Sequence, residues 1–242
     1  MPLICESASA THTGNVRPLN EDAFCDNRHH GIWCVADGMG GYEAGEVASA
    51  MLVEAVRHLP APLSLEQGIE QLRDVILGVN YRLSAEMTMT REDQVMGCTV
   101  VALTIVDDEC ACLWAGDSRL YLYRGDSLYQ MSRDHSVVEE LIEQGVIQPE
   151  EAHQHPQRHV ITRAVGVDEA LELEQISFAL EANDVLLLCS DGLYGELHPD
   201  AIMTILAQED TCNQKAETLI QRTLAGEARD NVTVSVIAVQ DA

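Results

Sequence analysis

The stretch Thr99-Val100-Val101-Ala102-Leu103-Thr104-Ile105-Val106, followed after Asp107-Asp108-Glu109 by Cys110-Ala111-Cys112-Leu113-Trp114-Ala115, carries the reading that decides the fold. Both runs are short, apolar and rich in β-branched or aromatic residues, and an acidic turn separates them, which is the pattern of an antiparallel strand pair. Two further runs, Leu120–Tyr123 and Leu128–Met131, flank a Gly125-Asp126 turn, so Gly97 to Met131 reads as an antiparallel meander. Upstream the period changes to that of a helix. Val47, Met51, Ala55, Val56 and Leu59 share one face of a helix over Gly45–Leu59, which Pro60 and Pro62 stop. Ser64 with Gln67 forms a capping box that opens a second helix, striped by Leu65, Ile69, Leu72, Ile76, Val79 and Leu83. The short Pro-containing link makes the two helices antiparallel neighbours. Downstream come a helix over Ser136–Gln144 closed by Gly145, an irregular surface loop over Gln148–Arg158, and a strand through Leu171, Leu173, Ile176 and Phe178. An Asn183-Asp184 turn, the strand Val185–Cys189, helices over Pro199–Ala207 and Asn213–Ala225, and the strand Val232–Val239 complete the chain. Blocks of helices alternating with blocks of antiparallel strands place it in the α+β class, not among parallel doubly wound sheets.

The chain has 242 residues, 46% of them apolar, with no repeat or Gly/Ser linker, and reads as a single domain over 1–242. Asp and Glu number 40 against 14 Lys and Arg, for a net charge of −26. With no Lys/Arg stripe to offset it, such a surface repels nucleic acid and anionic membrane, so neither is an expected partner. The longest mostly apolar stretch, Met96 to Val106, is far below the ~20 residues that span a bilayer. No basic segment leads into an apolar one at the N-terminus, so no signal peptide is expected. The eight cysteines form no C-x-x-C pair, and most lie in apolar runs such as Ile32-Trp33-Cys34-Val35. They read as small buried hydrophobes in a reducing compartment, which makes a soluble cytoplasmic protein the simplest expectation.

One feature recurs: an apolar strand ends in an Asp beside a Gly. It occurs as Cys34-Val35-Ala36-Asp37-Gly38, Leu113-Trp114-Ala115-Gly116-Asp117 and Leu187-Leu188-Cys189-Ser190-Asp191-Gly192, and in mirror form as Asp230-Asn231 before the last strand. A turn explains any single copy, but Asp is depleted in strands, and repeated placement at the same end of core strands needs another reason. Clustered carboxylates repel one another unless they share a proton or hold a cation. A set of oxygen donors without matching His or Cys favours Mg²⁺ or Mn²⁺ over Zn²⁺. Arg17, ahead of Asn20-Glu21-Asp22, adds a forked cation of the kind that binds phosphate.

These pieces together form a resemblance. Arg17 with Asn20-Glu21-Asp22, Val35-Ala36-Asp37-Gly38-Met39-Gly40-Gly41, Gly97-Cys98-Thr99, Ala115-Gly116-Asp117-Ser118-Arg119, Ser190-Asp191-Gly192 and Asp230-Asn231-Val232-Thr233 occur in the order of the metal-dependent serine/threonine protein phosphatases of type 2C, which the chain resembles over almost its whole length. The resemblance implies a four-layer α/β/β/α sandwich of two antiparallel sheets flanked by helices, with a binuclear Mn²⁺ or Mg²⁺ centre at one end of the sheets. It implies that Asp37 bridges both metals, that Asp191 and Asp230 hold the first, and that the Gly38 carbonyl and Glu21, directly or through water, hold the second. Asp117 matches the acid that holds a third ion with Asp191 in bacterial members, and Arg17 matches the phosphate-binding arginine. The segment between His135 and Thr162, about 136–162, corresponds to a flap beside the site. The implied reaction is direct attack of a metal-activated water on phosphoserine or phosphothreonine, with no phosphoenzyme. Met39 stands where relatives from higher organisms often carry His, so leaving-group protonation passes to a metal-bound water, or alternatively to His135. Phosphorylated proteins, a cognate Ser/Thr kinase, a setting such as the kinase and phosphatase pairs of type VI secretion loci, and a monomeric state are the implied partnerships.

Other groupings weigh less. His155 and His159 are four apart, but Pro156 between them disfavours a helix, and an exposed polar loop accounts for them and for His153. Asp134-His135-Ser136 cannot form a triad from three consecutive residues, and Asp134 and Ser136 read as caps of the following helix. Thr162-Arg163-Ala164-Val165-Gly166 reads as support for the flap base, with substrate binding by Arg163 as the alternative. A silent phosphoprotein-binding module would have lost metal acids, and Asp37, Asp191 and Asp230 are all present. A hydrolase of small phosphate esters would share the centre and differ in the surrounding groove.

Overall fold

The computed structural model describes residues 3–40, 44–90 and 96–241, with the side chains of residues 87–90 and 153 outside that description. Gly41 of the glycine-rich motif and the imidazole of His153 therefore lie outside the described residues. The strands are β1 (Leu3–His12), β2 (Asp22–Asn27), β3 (Ile32–Gly40), β4 (Met96–Cys98), β5 (Val100–Val106), β6 (Glu109–Ala115), β7 (Arg119–Arg124), β8 (Ser127–Gln130), β9 (Glu174–Ala179), β10 (Val185–Cys189) and β11 (Val232–Asp241). The α-helices are α1 (Ala44–Arg57), α2 (Leu65–Thr90), α3 (Val137–Glu143), α4 (Asp191–Tyr194), α5 (Pro199–Leu206) and α6 (Cys212–Leu224). One sheet runs β1-β11-β10-β7-β8 and the other β2-β3-β5-β6-β9, with β4 paired to β3.

Side-chain alternation along the strands builds three apolar layers. Cys34, Ala36, Ala102 and Leu113 point to one outer face, where Leu52 of α1 and Leu72, Ile76 and Leu83 of α2 cover them. Trp33, Val35, Val101 and Leu103 point the other way and meet Leu120, Leu122, Leu186, Leu188 and Ile237 of the second sheet. Leu187, Val234 and Val236 face outward again, onto Ile202 and Leu206 of α5 and Leu219 of α6. Each fully buried aliphatic side chain contributes roughly 1.5–3 kcal/mol, so every layer is held by its own apolar seam. The order helix, sheet, sheet, helix is the expected four-layer sandwich.

The expected meander is corrected to two hairpins in different sheets. β5 and β6 pair in one sheet, β7 and β8 in the other, and the chain changes sheet at Gly116-Asp117-Ser118. Gly116 sits at φ +108°, and a Cβ there would press into Thr99. The hydroxyls of Thr99 and Ser118, 2.7 Å apart, close the crossing. The strand runs themselves were legible, but both hairpins carry apolar residues into the same interior, so nothing in their pattern tells the sheets apart.

β1 and β2 escaped sequence reasoning because polar residues on their inward faces interrupt the apolar pattern. Ser7 and Ser9 donate their hydroxyls to Asp26 at 2.6 and 3.1 Å, and Trp33 Nε1–H adds a bond of 3.0 Å, so this polar patch joins the sheets. Leu171 and Leu173 precede β9 and pack against the seam under α1 and α2, so they are not part of that strand. The loop expected to be irregular contains a 3-10 helix, Pro149–Gln154. Ser136 caps α3 by accepting from the Glu139 N–H, and Gly145 beyond it takes φ +69°. Asp134 does not cap that helix; its carboxylate takes the Arg119 guanidinium in a two-pronged pair at 2.9 and 2.7 Å.

Candidate metal centre

β2 and β3 run antiparallel in a register that sets Asp22 directly opposite Asp37. Phe24, Trp33 and Val35 on the same faces point between the sheets, so both carboxylates point to the end of that interior. Opposite them, β10 ends at Cys189, Ser190 follows, and Asp191 opens α4. Asp230 lies just before β11. The Ser190 hydroxyl donates to Asp22 Oδ2 at 2.7 Å across the gap between the sheets. Asp191 interacts directly with Asp37 across the same gap. The strand-end acids therefore converge from two facing sheets, not along the rim of one.

The backbone is locked around these acids. Thr99 donates its N–H to the Asp37 carbonyl at 2.8 Å, and its Oγ1 accepts the Asp37 N–H at 3.1 Å. The Glu21 carbonyl accepts from Gly38 N–H at 3.1 Å and from the Ser49 hydroxyl at 2.6 Å. A Cβ on Gly38 would overlap the backbone oxygens of Glu21 and Gly45, so only glycine permits the first turn of α1 to approach this strand. The Glu21 carboxylate accepts from the Gly45 backbone N–H, near the start of α1. Asp117 sits in the crossing between the sheets, where Tyr194 Oη–H donates to its carbonyl at 2.9 Å. Arg119 stacks on the Tyr194 ring at 3.5 Å and completes that support.

The electrostatics are those of a centre short of positive charge. Burial, then the neighbouring acids Asp22, Asp191, Asp117 and Asp230, push the Asp37 carboxyl well above the usual carboxylate range. Burial and the neighbouring Asp230 and Glu21 lift Asp22 to about 6, against the favourable Ser190 bond. Asp117 rises to about 7, from burial and then Asp191, and Asp191 rises to about 7, from burial and then Asp230. Glu21 is also raised by burial, with Arg17 opposing. Asp22 Oδ1 and Asp191 Oδ1 are buried with no hydrogen-bond partner. The cation that is present, Arg17, reaches Asp230 Oδ2 with Nη2 at 2.6 Å and is half exposed.

Among the described residues no three His, Cys, Asp or Glu side chains are already drawn together as a metal cage. The fit to divalent ions rests instead on unpartnered hard oxygen donors, on mutual repulsion that a proton or a cation must relieve, and on acids that keep part of their surface open to an entering ion. The expected residues Asp37, Asp191, Asp230, Glu21, Gly38 and Arg17 come together, and Asp117 lies at their side. Asp22 was quoted in its motif without a role and belongs electrostatically with the group; its signal was its place two residues before Phe24 on an inward face. His135 is turned to other work. Its Nδ1 accepts the Gly116 N–H at 3.2 Å and its Nε2 faces Glu174 at 3.1 Å. Asn80 and Cys98 hold residues 165–166, through Gly166 N–H and Val165.

The model of the protein phosphatase 2C family matches residues 7–141. The serine/threonine phosphatase stp of Listeria monocytogenes is 34% identical over 94% of this chain and 93% of its own length. Among solved structures, PppA, a key regulatory component of T6SS in Pseudomonas aeruginosa, is 39% identical with a TM-score of 0.91, covering 98% of both chains. The catalytic domain of the serine/threonine protein phosphatase PstP in complex with two manganese ions is 33% identical with a TM-score of 0.87, covering 99% of this chain and 100% of that one. A matched family model, relatives at this identity over nearly the whole chain and the convergence of acids at the sheet ends agree: this chain belongs to the protein phosphatase 2C family.

Proposed function

We propose that residues 1–242 form one catalytic domain that hydrolyses phosphoserine and phosphothreonine on proteins, with Asp37, Asp191, Asp230, Glu21 and the Gly38 carbonyl holding two divalent ions. The observation that carries this reading is the meeting of Asp22 and Asp37 from one sheet with Asp191 and Asp230 from the other. Bound Mn²⁺ or Mg²⁺ supplies an activated water and neutralises charge on the phosphoryl group. Asp37, crowded by Asp22, Asp191, Asp117 and Asp230, would be the central ligand, and Asp117 with Asp191 would be able to hold a further ion. Arg17, half exposed at the edge of the acid group, binds the phosphoryl oxygens with its planar fork. Thr99 and Gly38 keep the Asp37 backbone from shifting as charge moves at its carboxylate. The engaged nitrogens of His135 argue against it as the proton donor to the leaving group.

We further read the partners as phosphorylated proteins and a cognate Ser/Thr kinase, with a T6SS setting supported by the likeness to PppA. The protein is proposed to act as a cytoplasmic monomer; no helix among the described residues is long and apolar enough to cross a membrane. The residues 136–162 form the flap, whose ends are tied by Val137 N–H to the Val160 carbonyl and Thr162 N–H to the His135 carbonyl. The test is phosphate release from a phosphothreonine peptide, with Mn²⁺ and with a chelator. Metal-dependent release is expected. Release confined to a small aryl phosphate points to a small-ester hydrolase, and no release with metal bound points to a binding module.

A further inference from the structure

Asn231 directly follows Asp230 and is 5% exposed, and the hydrogen bonds of its side chain go to backbone groups, not to a carboxylate of the centre. Every partner that the structure gives its carboxamide lies in the loop between β1 and β2. Its Nδ2 donates to the carbonyls of Thr13 at 2.8 Å and Leu19 at 2.9 Å, and its Oδ1 accepts the Glu21 N–H at 2.8 Å. One side chain thus holds the beginning, the end and the exit of the loop that presents Arg17. A carboxamide is the group that can do so, because two of the partners accept and one donates.

The surrounding contacts make the arrangement a seam. Asn15 N–H donates to the Ala228 carbonyl at 2.8 Å, and Asn15 Nδ2 donates to the Leu224 carbonyl at 3.1 Å. Gly14, at φ +81°, lies so close to the backbone of 228–230 that a Cβ would overlap it. From the other side, Glu196 accepts from Glu227 N–H at 3.2 Å. The loop itself is short of apolar anchorage, since Val16 and Leu19 are exposed at 65% and 42%. Its placement therefore depends on this polar seam, in which Asn231 supplies a buried polar side chain.

We infer that Asn231 is a positioning residue for the phosphoryl-binding step: it holds the 13–21 loop so that the Arg17 guanidinium stands beside Asp230. This rests on the reading of Arg17 as the phosphate ligand. Asn231 touches neither substrate nor ion in this account and acts through the loop. Losing its two donor bonds while keeping the fold lets Arg17 sample orientations away from Asp230, which weakens phosphoryl binding more than it harms the centre.

Two variants test it. Asn231→Ala removes every bond, and Asn231→Asp keeps the acceptor for Glu21 N–H while losing both donors. Hydrogen exchange is expected to accelerate at the amides around residues 14–20 in both variants, with the Glu21 amide released only in Asn231→Ala, and with α2 unchanged in each. At saturating Mn²⁺, Asn231→Ala is expected to lower kcat/KM on a phosphothreonine peptide roughly tenfold, mostly through KM, and to raise the inhibition constant of inorganic phosphate alike. In an Arg17→Ala background the same change is expected to cost under about twofold, because its effect runs through Arg17. Unchanged exchange in the loop of a folded variant, or effects that multiply in the double variant, overturns the inference. Should Arg17→Ala alone leave phosphate binding intact, the Arg17 reading falls and the positioning role falls with it, whereas failure of the cycle with Arg17 sensitive sinks only Asn231. If Asn231→Ala does not fold, Asn231→Asp decides by the same two measurements.

Discussion

Asp22 and Asp37 are cross-strand partners, directly opposite one another on β2 and β3 with both carboxylates at the same end of the sandwich. Like charges in that relation destabilise a sheet unless something neutralises them. Asp22 titrates near 6 and Asp117 and Asp191 near 7, all above an ordinary Asp. Between about pH 4 and pH 7 the metal-free native state therefore holds more protons than the unfolded chain, and stability falls as pH rises through that window. Urea unfolding in chelator is expected to show a lower midpoint at pH 7.5 than at pH 5. Added Mn²⁺ is expected to raise the midpoint at pH 7.5, and Asp22→Asn to flatten the metal-free profile. A metal-free midpoint that rises with pH would contradict this account.

Asp37 is the acid that Asp22, Asp191, Asp117 and Asp230 crowd. Asp37→Asn is expected to abolish phosphate release and to weaken Mn²⁺ binding measured by calorimetry, with the fold retained because Thr99 bonds to the backbone of this residue and not to its side chain. Wild-type turnover in this variant would remove Asp37 from the ligand set.

Arg17 contributes a charged, partly exposed contact to the phosphoryl group in the proposed reading. Charge-assisted bonds of this kind are worth about 1.5–3 kcal/mol, or roughly 10- to 100-fold in binding. Arg17→Ala is expected to lower kcat/KM by that factor and Arg17→Lys by less, with Mn²⁺ half-saturation little changed. Steady-state kinetics on a phosphopeptide decides it, and an intact KM in Arg17→Ala would exclude the assignment.

Asp184 offers a control far from the centre, at the opposite end of β10 from Ser190. It is 1% exposed, pairs with Arg124 at 2.6 and 2.8 Å, and accepts the Glu181 N–H at 2.8 Å. Breaking a buried pair is costly, and the partial exposure of Arg124 reduces the cost to about 2 kcal/mol. Asp184→Ala is expected to lose that much stability in denaturant titration while activity per folded molecule stays at the wild-type level. A parallel loss of activity would mean that this end of the sheet communicates with the acids.

Legibility followed burial and periodicity. The helix through Leu72 and the strands through Val101 and Leu187 are legible because one face or both faces are apolar, whereas α1 is legible as a helix but buries the face of Ala48, Leu52 and Val56 and leaves Val47 of the expected stripe 46% exposed. β1 is not legible, since Ser7 and Ser9 satisfy Asp26 inside the protein and look in sequence like surface residues. The change of sheet at Gly116 was hidden for a different reason: it is set by a contact with Thr99, which no local pattern records. At the site, the acids beside glycines were readable from their repetition and from the family resemblance. The motifs give Asp22 and Asn231 no role of their own, because one faces its cross-strand neighbour and the other bonds backbone groups about two hundred residues earlier in the chain.

The acids stand on two sheets whose members are interleaved along the chain, with Asp22 and Asp37 early and Asp191 and Asp230 late. No half of the polypeptide can therefore assemble the centre, and a state with one sheet formed is chemically inert. On the proposed ligand set, hydrolysis would report that folding has finished, since an ion held by acids of both sheets would find its full site only after the last docking event.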